Sequence, residues 1–468
     1  MNDTSEKTSV QQAQNEYQTM TQSPVEKLIV RLAVPTIISM MVSSIYNTVD
    51  TYFVSRIGTS ASGAVGIVFS LMALYQAIGY MCGHGSGSCI SRSLGAKDEK
   101  NAKTYGSTAF WMSFILGIVI SVVCLVFMNP ILYLLGSTDT ILPYARQYAF
   151  WIYLSGPFLT ASCTMNNHLR YEGKSFYAMI GLTAGGILNI IGDPVLMFGF
   201  HMGVAGAGLS TCLSQIVSFL ILLYMMHSGK TVVRYFPSLI ARGTQLKTTV
   251  ANIAVTGSAS FARQILSALS TVFLNQQAKV YGDAAIAAMS IVGRVSVLIS
   301  AIAIGIGQGM QPVASFNYGA GLYSRVKKSW RFVETSGTVF LCIMGGLSFI
   351  FATPIIRWFR NDPQVIQIGT VALRWAAVSA ILQATSVSSN MLLQSIGKAR
   401  SALLLASLRS GIFFIPLILI LPAVFGITGI EIAQPVADIL SAIVSLPVVL
   451  HYIHGFGPDN VSGEKVPE

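Results

Sequence analysis

The sequence predicts an all-α polytopic membrane protein with twelve transmembrane helices in two parallel-repeat six-helix bundles. Three observations predict this fold. First, the 468 residues are 53% hydrophobic and only 10% charged, with a mean hydropathy of +0.63, whereas soluble domains carry about 25% charged residues. Second, the apolar residues form twelve runs, each long enough to cross a bilayer, which takes about 20 residues. Third, the chain repeats its own pattern once at a constant offset.

The twelve apolar runs alternate with short polar segments. The predicted spans cover residues 29–55, 61–90, 105–128, 141–166, 175–198, 203–227, 248–276, 284–310, 330–353, 365–391, 400–424 and 428–452. Of the 29 Lys and Arg residues, 20 lie in the tails and in the loops on the same side as the tails, including the polar segment 167–174. By the positive-inside rule, we expect a multi-pass protein of the cell (inner) membrane with both termini in the cytoplasm.

The two halves of the chain match each other at an offset of 224 residues. The matches hold one register over more than 100 positions; they pair Gly58 with Gly282, Ala61 with Ala285, Gly83 with Gly307, Gly85 with Gly309, Ser91 with Ser315, Gly95 with Gly319, Pro130 with Pro354, Trp151 with Trp375 and Gly173 with Gly397. Because each half holds an even number of spans, both enter the membrane in the same sense, as parallel repeats.

This repeat predicts the domain organisation. The predicted parts are a cytoplasmic tail (1–28), an N-terminal six-helix bundle (29–227), a cytoplasmic linker (228–247), a C-terminal six-helix bundle (248–452) and a second cytoplasmic tail (453–468). Both tails are polar and lack an apolar core, so we expect residues 1–27 and the segment after residue 454 to be disordered.

Two similar bundles are typical of a carrier that rocks between two states. A channel would instead need a filter-like loop or a ring of identical subunits, and no Gly-rich filter sequence lies between the spans. The chain has no nucleotide-binding or hydrolase motif, so it is not expected to be an enzyme, and transport must use an ion gradient or run downhill. The net charge of +11 resides mostly in loops, which indicates membrane orientation and not nucleic-acid binding.

Two acidic residues lie inside predicted spans of the first half. Asp50 is in span one and Asp193 is in span five, and a carboxylate at membrane depth costs on the order of 3 kcal/mol. Tyr46 and Asn189 each precede one of these acids by four residues and so share its helix face. Thr211 lies about two turns into span six. Counting from the loop ends places all five residues in the outer half of the first bundle, as one oxygen-rich site.

These residue types allow three roles. Hard cations favour oxygen ligands, so Asp50, Asn189, Asp193 and Thr211 could hold Na⁺. Alternatively, two nearby carboxylates cannot both stay ionised cheaply, so one could hold a proton. The third role is purely structural hydrogen bonding between helices. We favour a coupling site for H⁺ or Na⁺, because two acids at one depth exceed what a helix contact needs. We expect no cofactor and no other metal site.

Prolines accompany both acids. Pro35 lies early in span one, and Pro194 directly follows Asp193. A proline cannot donate a hydrogen bond to the carbonyl four residues back, which weakens the helix at that point. We therefore expect helix bending at both prolines.

The acids do not recur in the second half, where Leu274, Phe413 and Leu417 stand at the equivalent positions. Arg409 and Asp438 lie about ten residues into adjacent antiparallel spans. We expect them to pair with each other, and contact with the transported compound is the alternative.

Three segments resemble the multidrug and toxic compound extrusion (MATE) family. They are residues 35–58 around Asp50, residues 202–207, and residues 307–320, where the Gln-Pro…Asn-Tyr-Gly-Ala pattern is the most specific. The similarity covers essentially the whole chain outside the tails. It implies twelve helices in two lobes around a V-shaped central cavity, and export of amphipathic, usually cationic, compounds in exchange for Na⁺ or H⁺.

The resemblance also implies roles for single residues. Asp50, Asn189, Asp193 and Thr211 match the coupling site of one branch of the family, Tyr46 matches its aromatic neighbour, and Pro35 matches the proline at which the first helix bends. Another branch carries cation-binding acids in helices seven and ten, and neither span has an acid here.

The sequence therefore predicts a secondary active antiporter that works by alternating access. We expect a monomer whose partners are small amphipathic substrates and the lipid bilayer. The alternative is a flippase for a lipid-linked saccharide, because relatives of this fold move such lipids and arginine suits pyrophosphate. Four arginines lie inside spans of the second half: Arg263, Arg294, Arg374 and Arg409.

Overall fold

The computed structural model describes residues 14–459, and in that range the chain is mostly helical and has no strand. The first half contains α1 (Val25–Ser55), α2 (Thr59–Gly95), α3 (Glu99–Val126), α4 (Met128–Leu134), α5 (Leu142–Tyr171), α6 (Ser175–Pro194) and α7 (Gly203–His227). The second half contains α8 (Thr244–Lys279), α9 (Asp283–Gly319), α10 (Tyr323–Ile350), α11 (Ala352–Phe359), α12 (Pro363–Ser395), α13 (Ala399–Ser407), α14 (Phe414–Phe425) and α15 (Ile427–His454).

Two π-helical turns complete these helices. Val195–Gly199 extends α6, and Leu408–Ile412 joins α13 to α14 as one long element. Ten of the described elements are long and apolar enough to cross a membrane by composition alone. The long helices α5 and α8 bring the number to twelve; their lower hydropathy reflects polar side chains, most of them buried in α5. The predicted twelve-helix fold is confirmed.

The packing of the helices repeats in the two halves. Within the first half α5 packs against α2, α3 and α7, and within the second half α12 packs against α9, α10 and α15. Between the halves, α1 packs on α9 just as α8 packs on α2. The repeat extends to single hydrogen bonds: Asn166 Nδ2 donates to the Ala178 carbonyl (2.8 Å), and Asn390 Nδ2 donates to the Ala402 carbonyl (2.6 Å). These two bonds are related by the predicted offset. The residue limits of the predicted domains remain predictions.

The two ends of the described chain lie together at one face of the bundle, here named the terminal face. The bundle is closed on this side because glycines let the halves approach closely. A Cβ on Gly309 would lie 2.8 Å from Cβ of Ala33 in α1, and Gly85 faces the backbone of Gly257 in α8. The halves are therefore in close contact at the terminal face.

Residues 14–22 are helical and lie against the terminal face. Met20 is 6% exposed, and its carbonyl accepts hydrogen bonds from Asn317 Nδ2 (3.1 Å) and Arg325 Nη2 (3.2 Å). The prediction that residues 1–27 are disordered is therefore wrong for residues 14–27, because side chains of the second half satisfy their backbone. Residues 1–13 lie outside the described range.

The C-terminal tail is also packed where the structure describes it. The Phe456 ring stacks on Tyr323 with centroids 5.4 Å apart, and Asp459 accepts a hydrogen bond from the Ser324 backbone N–H (2.7 Å). The expectation of disorder from residue 455 is therefore wrong up to residue 459, and the residues beyond it are outside the described part.

The segment between α7 and α8 is anchored to the first half by Glu172. This carboxylate accepts hydrogen bonds from the backbone N–H groups of Val232 (2.9 Å) and Val233 (3.1 Å), and Lys174 Nζ lies 3.4 Å away. Burial raises the pKa of Glu172, and Lys174 with the two N–H groups opposes that rise. The anchor holds the linker over the terminal end of α5.

Candidate functional site

Helices α1 and α6 bring Asp50 and Asp193 together near the opposite face. Asp193 is fully buried and Asp50 is 8% exposed, and their carboxyl groups are close enough to interact with each other. The two helices approach because Gly186 leaves room for Val42 and Tyr46 of α1, whose side chains would lie 3.0 and 3.3 Å from a Cβ at that position. The structure thus pairs the two acids that the sequence places at one depth.

Helix α7 contributes hydroxyl groups to the same cluster. Asn189 Nδ2 donates to Asp193 Oδ1 (3.1 Å), and it also lies within hydrogen-bonding distance of Thr211 Oγ1 (3.2 Å) and Ser210 Oγ (3.3 Å). Ser210 Oγ donates in turn to the Asn189 carbonyl (3.3 Å). The close approach of α7 follows from Gly206, which packs against the backbone of the π-helical turn after α6. Four predicted residues, Asp50, Asn189, Asp193 and Thr211, therefore meet in one cluster.

Three oxygen atoms of this cluster are buried without a hydrogen-bond partner in the described structure: Asp50 Oδ1, Asp193 Oδ2 and Asn189 Oδ1. Buried oxygen atoms that accept no hydrogen bond are costly, most of all on a carboxylate. Oxygen atoms in this arrangement can ligate a small hard cation, and two adjacent carboxyl groups can also share one proton. Among residues 14–459 no group of three or more His, Cys, Asp or Glu side chains forms a metal centre.

Sequence reasoning missed Tyr148 of α5. Its hydroxyl donates to Asp50 Oδ2 (3.2 Å), and the side chain is 1% exposed. The predicted aromatic neighbour, Tyr46, is half-buried and packs against Gly186. Tyr148 lies about two turns from the opposite-face end of α5, at the depth of Asp50. The same count of depth from the loop ends could have identified it.

The two prolines lie inside continuous helical backbone. In α1 the carbonyl of Pro35 accepts a hydrogen bond from Ser39 Oγ (2.8 Å), and the backbone stays helical through this position. At Pro194 the backbone changes from α-helix to the π-helical turn Val195–Gly199. Such turns recur at functional sites in helices. Bending at either proline remains a prediction.

Arg409 and Asp438 form an ion pair in the second half, with Nε to Oδ1 at 2.7 Å. Asp438 is 4% exposed and also accepts hydrogen bonds from Gln434 Nε2 (2.9 Å) and Ser379 Oγ (3.3 Å). The amide of Gln383 faces the guanidinium group and can accept from it at 2.8 Å. These side chains line a cavity of about 50 Å³. That volume holds a few water molecules and is too small for a drug-sized compound.

Comparison with known families gives a match over most of the chain. The MatE family model matches residues 35–195 and 259–420. The two matched segments begin at positions 35 and 259, which differ by the offset found within the sequence. The family model therefore matches each half of the molecule once.

Relatives named as multidrug export proteins match nearly the whole chain. The multidrug export protein MepA of Staphylococcus aureus is 29% identical over 431 residues, which are 91% of this chain and 94% of that protein. The protein of the same name from Staphylococcus haemolyticus is 27% identical over 430 residues, covering 92% and 94% of the two chains.

Solved structures share the fold. A crystal structure of MATE in complex with MaL6 superposes with a TM-score of 0.88, and the outward-facing conformation of a multidrug resistance MATE family transporter superposes with a TM-score of 0.87. Each is 23% identical to this chain and covers 94% of it, with 98% of its own length aligned. The two-lobed architecture around a central cavity is therefore a shared fold.

Proposed function

The chain belongs to the multidrug and toxic compound extrusion (MatE) family, and on that premise we propose that it is a secondary active antiporter. It exports amphipathic, often cationic, organic compounds in exchange for H⁺ or Na⁺. This proposal is supported by the buried Asp50–Asp193 pair, which together with Asn189 has three buried oxygen atoms without a hydrogen-bond partner in the described structure. A buried acid pair of this kind changes its net charge when it takes up a cation.

Exchange of substrate for ion would follow because the cationic compound and the coupling ion compete for the negative charge of the acid pair. When both carboxyl groups are free of protons and cations, the site attracts a cationic compound. When H⁺ or Na⁺ occupies the site, the negative charge is reduced and the attraction weakens. The two ligands therefore oppose each other, and a coupling of a few kcal/mol suffices, since about 1.4 kcal/mol is a tenfold change in affinity.

The same event provides a conformational signal. Uptake of the ion removes repulsion between α1 and α6 and changes the hydrogen bonds that tie α6 to α7. Pro35 and the π-helical turn after Pro194 give these helices places to bend. In this proposal the molecule alternates between a cavity open at the opposite face and one open at the terminal face, with both termini in the cytoplasm. It works as a monomer with the bilayer and small molecules as its partners.

Transport of a cationic dye by reconstituted protein tests the proposal. Vesicles are given a pH gradient, a Na⁺ gradient or neither, and wild type is compared with Asp193→Asn. We expect gradient-driven dye movement in wild type, with the effective gradient naming the ion, and loss of the gradient effect in Asp193→Asn. Asp283→Asn is the matched control, because Asp283 is an exposed acid at the start of α9. Gradient-driven transport that is unchanged in Asp193→Asn would refute coupling through this site.

The flippase alternative has less support. Arg374 is exposed and lies over the Phe349 ring (5.4 Å), and Arg409 is paired with Asp438. Arg409 is therefore not free to hold a pyrophosphate. Movement of a lipid-linked phosphate without any dye transport would favour the flippase.

A further inference from the structure

Two arginines, one from each half of the molecule, lie at the interface between the halves next to its tightly packed end, here named the cavity base. Arg170 lies near the end of α5 and is 7% exposed, whereas Arg263 lies in the middle of α8 and is half-buried. Arg170 Nη1 donates to Gln308 Oε1 across the interface (2.5 Å), and Arg263 Nη1 donates to Asn390 Oδ1 (2.9 Å). Both partners are neutral amides, so neither positive charge is balanced by its hydrogen bond.

The charges also converge. Arg263 Nη2 donates to Ser260 Oγ (3.4 Å), and Ser260 Oγ lies 2.9 Å from His84 Nδ1. The His84 ring also lies against the ring of Tyr171, the residue next to Arg170, with centroids 6.3 Å apart. His84 and Tyr80 occupy one turn of α2. The rings of Tyr80 and His84 stack, with centroids 5.5 Å apart and an interplanar angle of 14°. Within the described part of the chain, the basic residues in ion pairs are Lys103, Lys174, Lys328 and Arg409. Neither of the two arginines at the cavity base has a carboxylate partner in that range.

Two buried nitrogen atoms at this place have no hydrogen-bond partner among the described residues: Arg170 Nε, which is a donor, and His84 Nε2, which donates in one ring tautomer and accepts in the other. His84 is 2% exposed, and its other ring nitrogen, Nδ1, lies 2.9 Å from Ser260 Oγ. A guanidinium group does not lose its proton in proteins, and a buried charge without a counter-charge is strongly unfavourable. The cluster therefore has the composition of a site that is completed by an anion.

We propose that the base of the cavity binds an oxyanion, a carboxylate or a phosphate, that is carried by an amphipathic ligand. Arg263 and Arg170 supply the charge, and guanidinium groups suit planar oxyanions in particular. The stacked Tyr80 and His84 rings supply an aromatic surface beside them. The oxyanion site stands independently of ion coupling, whereas its use for cargo rests on the proposed export function.

The position of the site specifies a cargo class. Tyr46 is half-buried and precedes Asp50 by about one turn on the same face of α1, on the side towards the terminal face. It therefore lies between the acid pair near the opposite face and the arginines at the cavity base. A zwitterionic compound fits this arrangement, with its cationic group towards Asp50 and Asp193 and its carboxylate towards Arg263. The second half thus contributes charge recognition even though it lacks the acids of the first half.

Equilibrium binding of two matched dyes tests the site. Tetramethylrhodamine carries a free carboxylate, and its methyl ester has the same ring cation without the negative charge. Binding to the full-length protein in phosphatidylcholine nanodiscs is measured by fluorescence anisotropy. We expect the free acid to bind about tenfold more tightly than the ester, since one charge-assisted hydrogen bond is worth about that factor.

Variants assign the preference to the arginines. In Arg263→Gln we expect the free acid to bind as weakly as the ester, with ester binding unchanged. Arg374→Gln is the matched control, because this exposed arginine lies in the same half and should leave the preference intact. Arg170→Gln should also abolish the preference. Because Arg170 is buried, the partly exposed Arg263 gives the decisive variant if Arg170→Gln does not fold.

Two further arms separate the possible outcomes. In one arm the nanodiscs contain phosphatidylglycerol. If this lipid weakens binding of the free acid to wild type and not to Arg263→Gln, the occupant of the site is a lipid phosphate. Equal binding of acid and ester in wild type, with no effect of phosphatidylglycerol, would overturn the proposal, as would equal weakening of both dyes by Arg263→Gln. Gradient-driven transport of the ester is measured on the same protein, so a failure of the export function is distinguished from a failure of the oxyanion site.

Discussion

Removal of one hydroxyl group, in Tyr148→Phe, tests how the acid pair is tuned. The hydroxyl donates to Asp50 Oδ2 across 3.2 Å, and both side chains are buried. A hydrogen bond to a charged group is worth about 1.5–3 kcal/mol. The separation is long for an O–H···O bond, which is usually about 2.7–2.8 Å, so we take the lower end, about 1.5 kcal/mol.

The direction in which the pH dependence of dye binding shifts depends on which protonation state of Asp50 the hydrogen bond stabilises. Tyr148 stabilises the ionised carboxylate, so its loss makes uptake of a proton easier by about tenfold, which corresponds to a shift of about one pH unit. In the proposed mechanism protonation releases a cationic dye, so the pH at which dye binding is half lost should rise by about one unit in Tyr148→Phe. If the coupling ion is Na⁺, the freed oxygen becomes a better ligand, and the Na⁺ concentration that releases the dye should fall.

The assay is a titration of dye binding to purified protein against pH and against Na⁺. Tyr153→Phe is the matched control: Tyr153 lies in the same helix and is buried, and its hydroxyl has no hydrogen-bond partner in the described structure. We expect no shift in that variant. A midpoint for Tyr148→Phe equal to those of wild type and Tyr153→Phe, or a shift to lower pH, would refute the role of Tyr148.

Two further predictions concern stability. Arg409→Ala leaves the buried Asp438 without its ion-pair partner, which should lower the free energy of unfolding by about 3 kcal/mol. Thermal unfolding in one detergent measures this loss. A loss as small as that of Arg374→Ala, the control at an exposed site, would contradict the prediction. Glu172→Ala leaves the two linker N–H groups without a hydrogen-bond acceptor, and each buried unpaired group costs about 1–3 kcal/mol of stability. We expect faster trypsin cleavage at Arg234, whereas Glu99→Ala, at an exposed acid, should cleave as wild type does.

The clustering of the proposed coupling residues could be predicted from local geometry. Helix periodicity places Asn189 and Asp193 on one face, and counting from the loop ends places Asp50 at the same depth, so their contact follows once α1 and α6 are neighbours. The internal repeat likewise predicts that the two halves share one packing pattern. Both predictions can be made without knowing which side chains distant in sequence are in contact.

The remaining features depend on tertiary contacts that no local pattern reveals. Arg170 lies in the polar segment 167–174, whose hydropathy predicts a loop. It belongs to α5 because neighbours such as Asn166 are hydrogen-bonded inside the bundle. The packing of Met20 depends on Asn317 and Arg325, about 300 residues away.

Gradient-driven transport by Asp50→Asn tests the central claim most directly. The substitution keeps the size of the side chain and one oxygen that can accept from Tyr148, and it replaces the titratable carboxyl group with a neutral amide. The account predicts that purified Asp50→Asn in vesicles moves a cationic dye no faster with a pH or Na⁺ gradient than without one, while wild type responds to one of the gradients. Transport by Asp50→Asn that is driven by the gradient at the wild-type rate would contradict coupling through the acid pair.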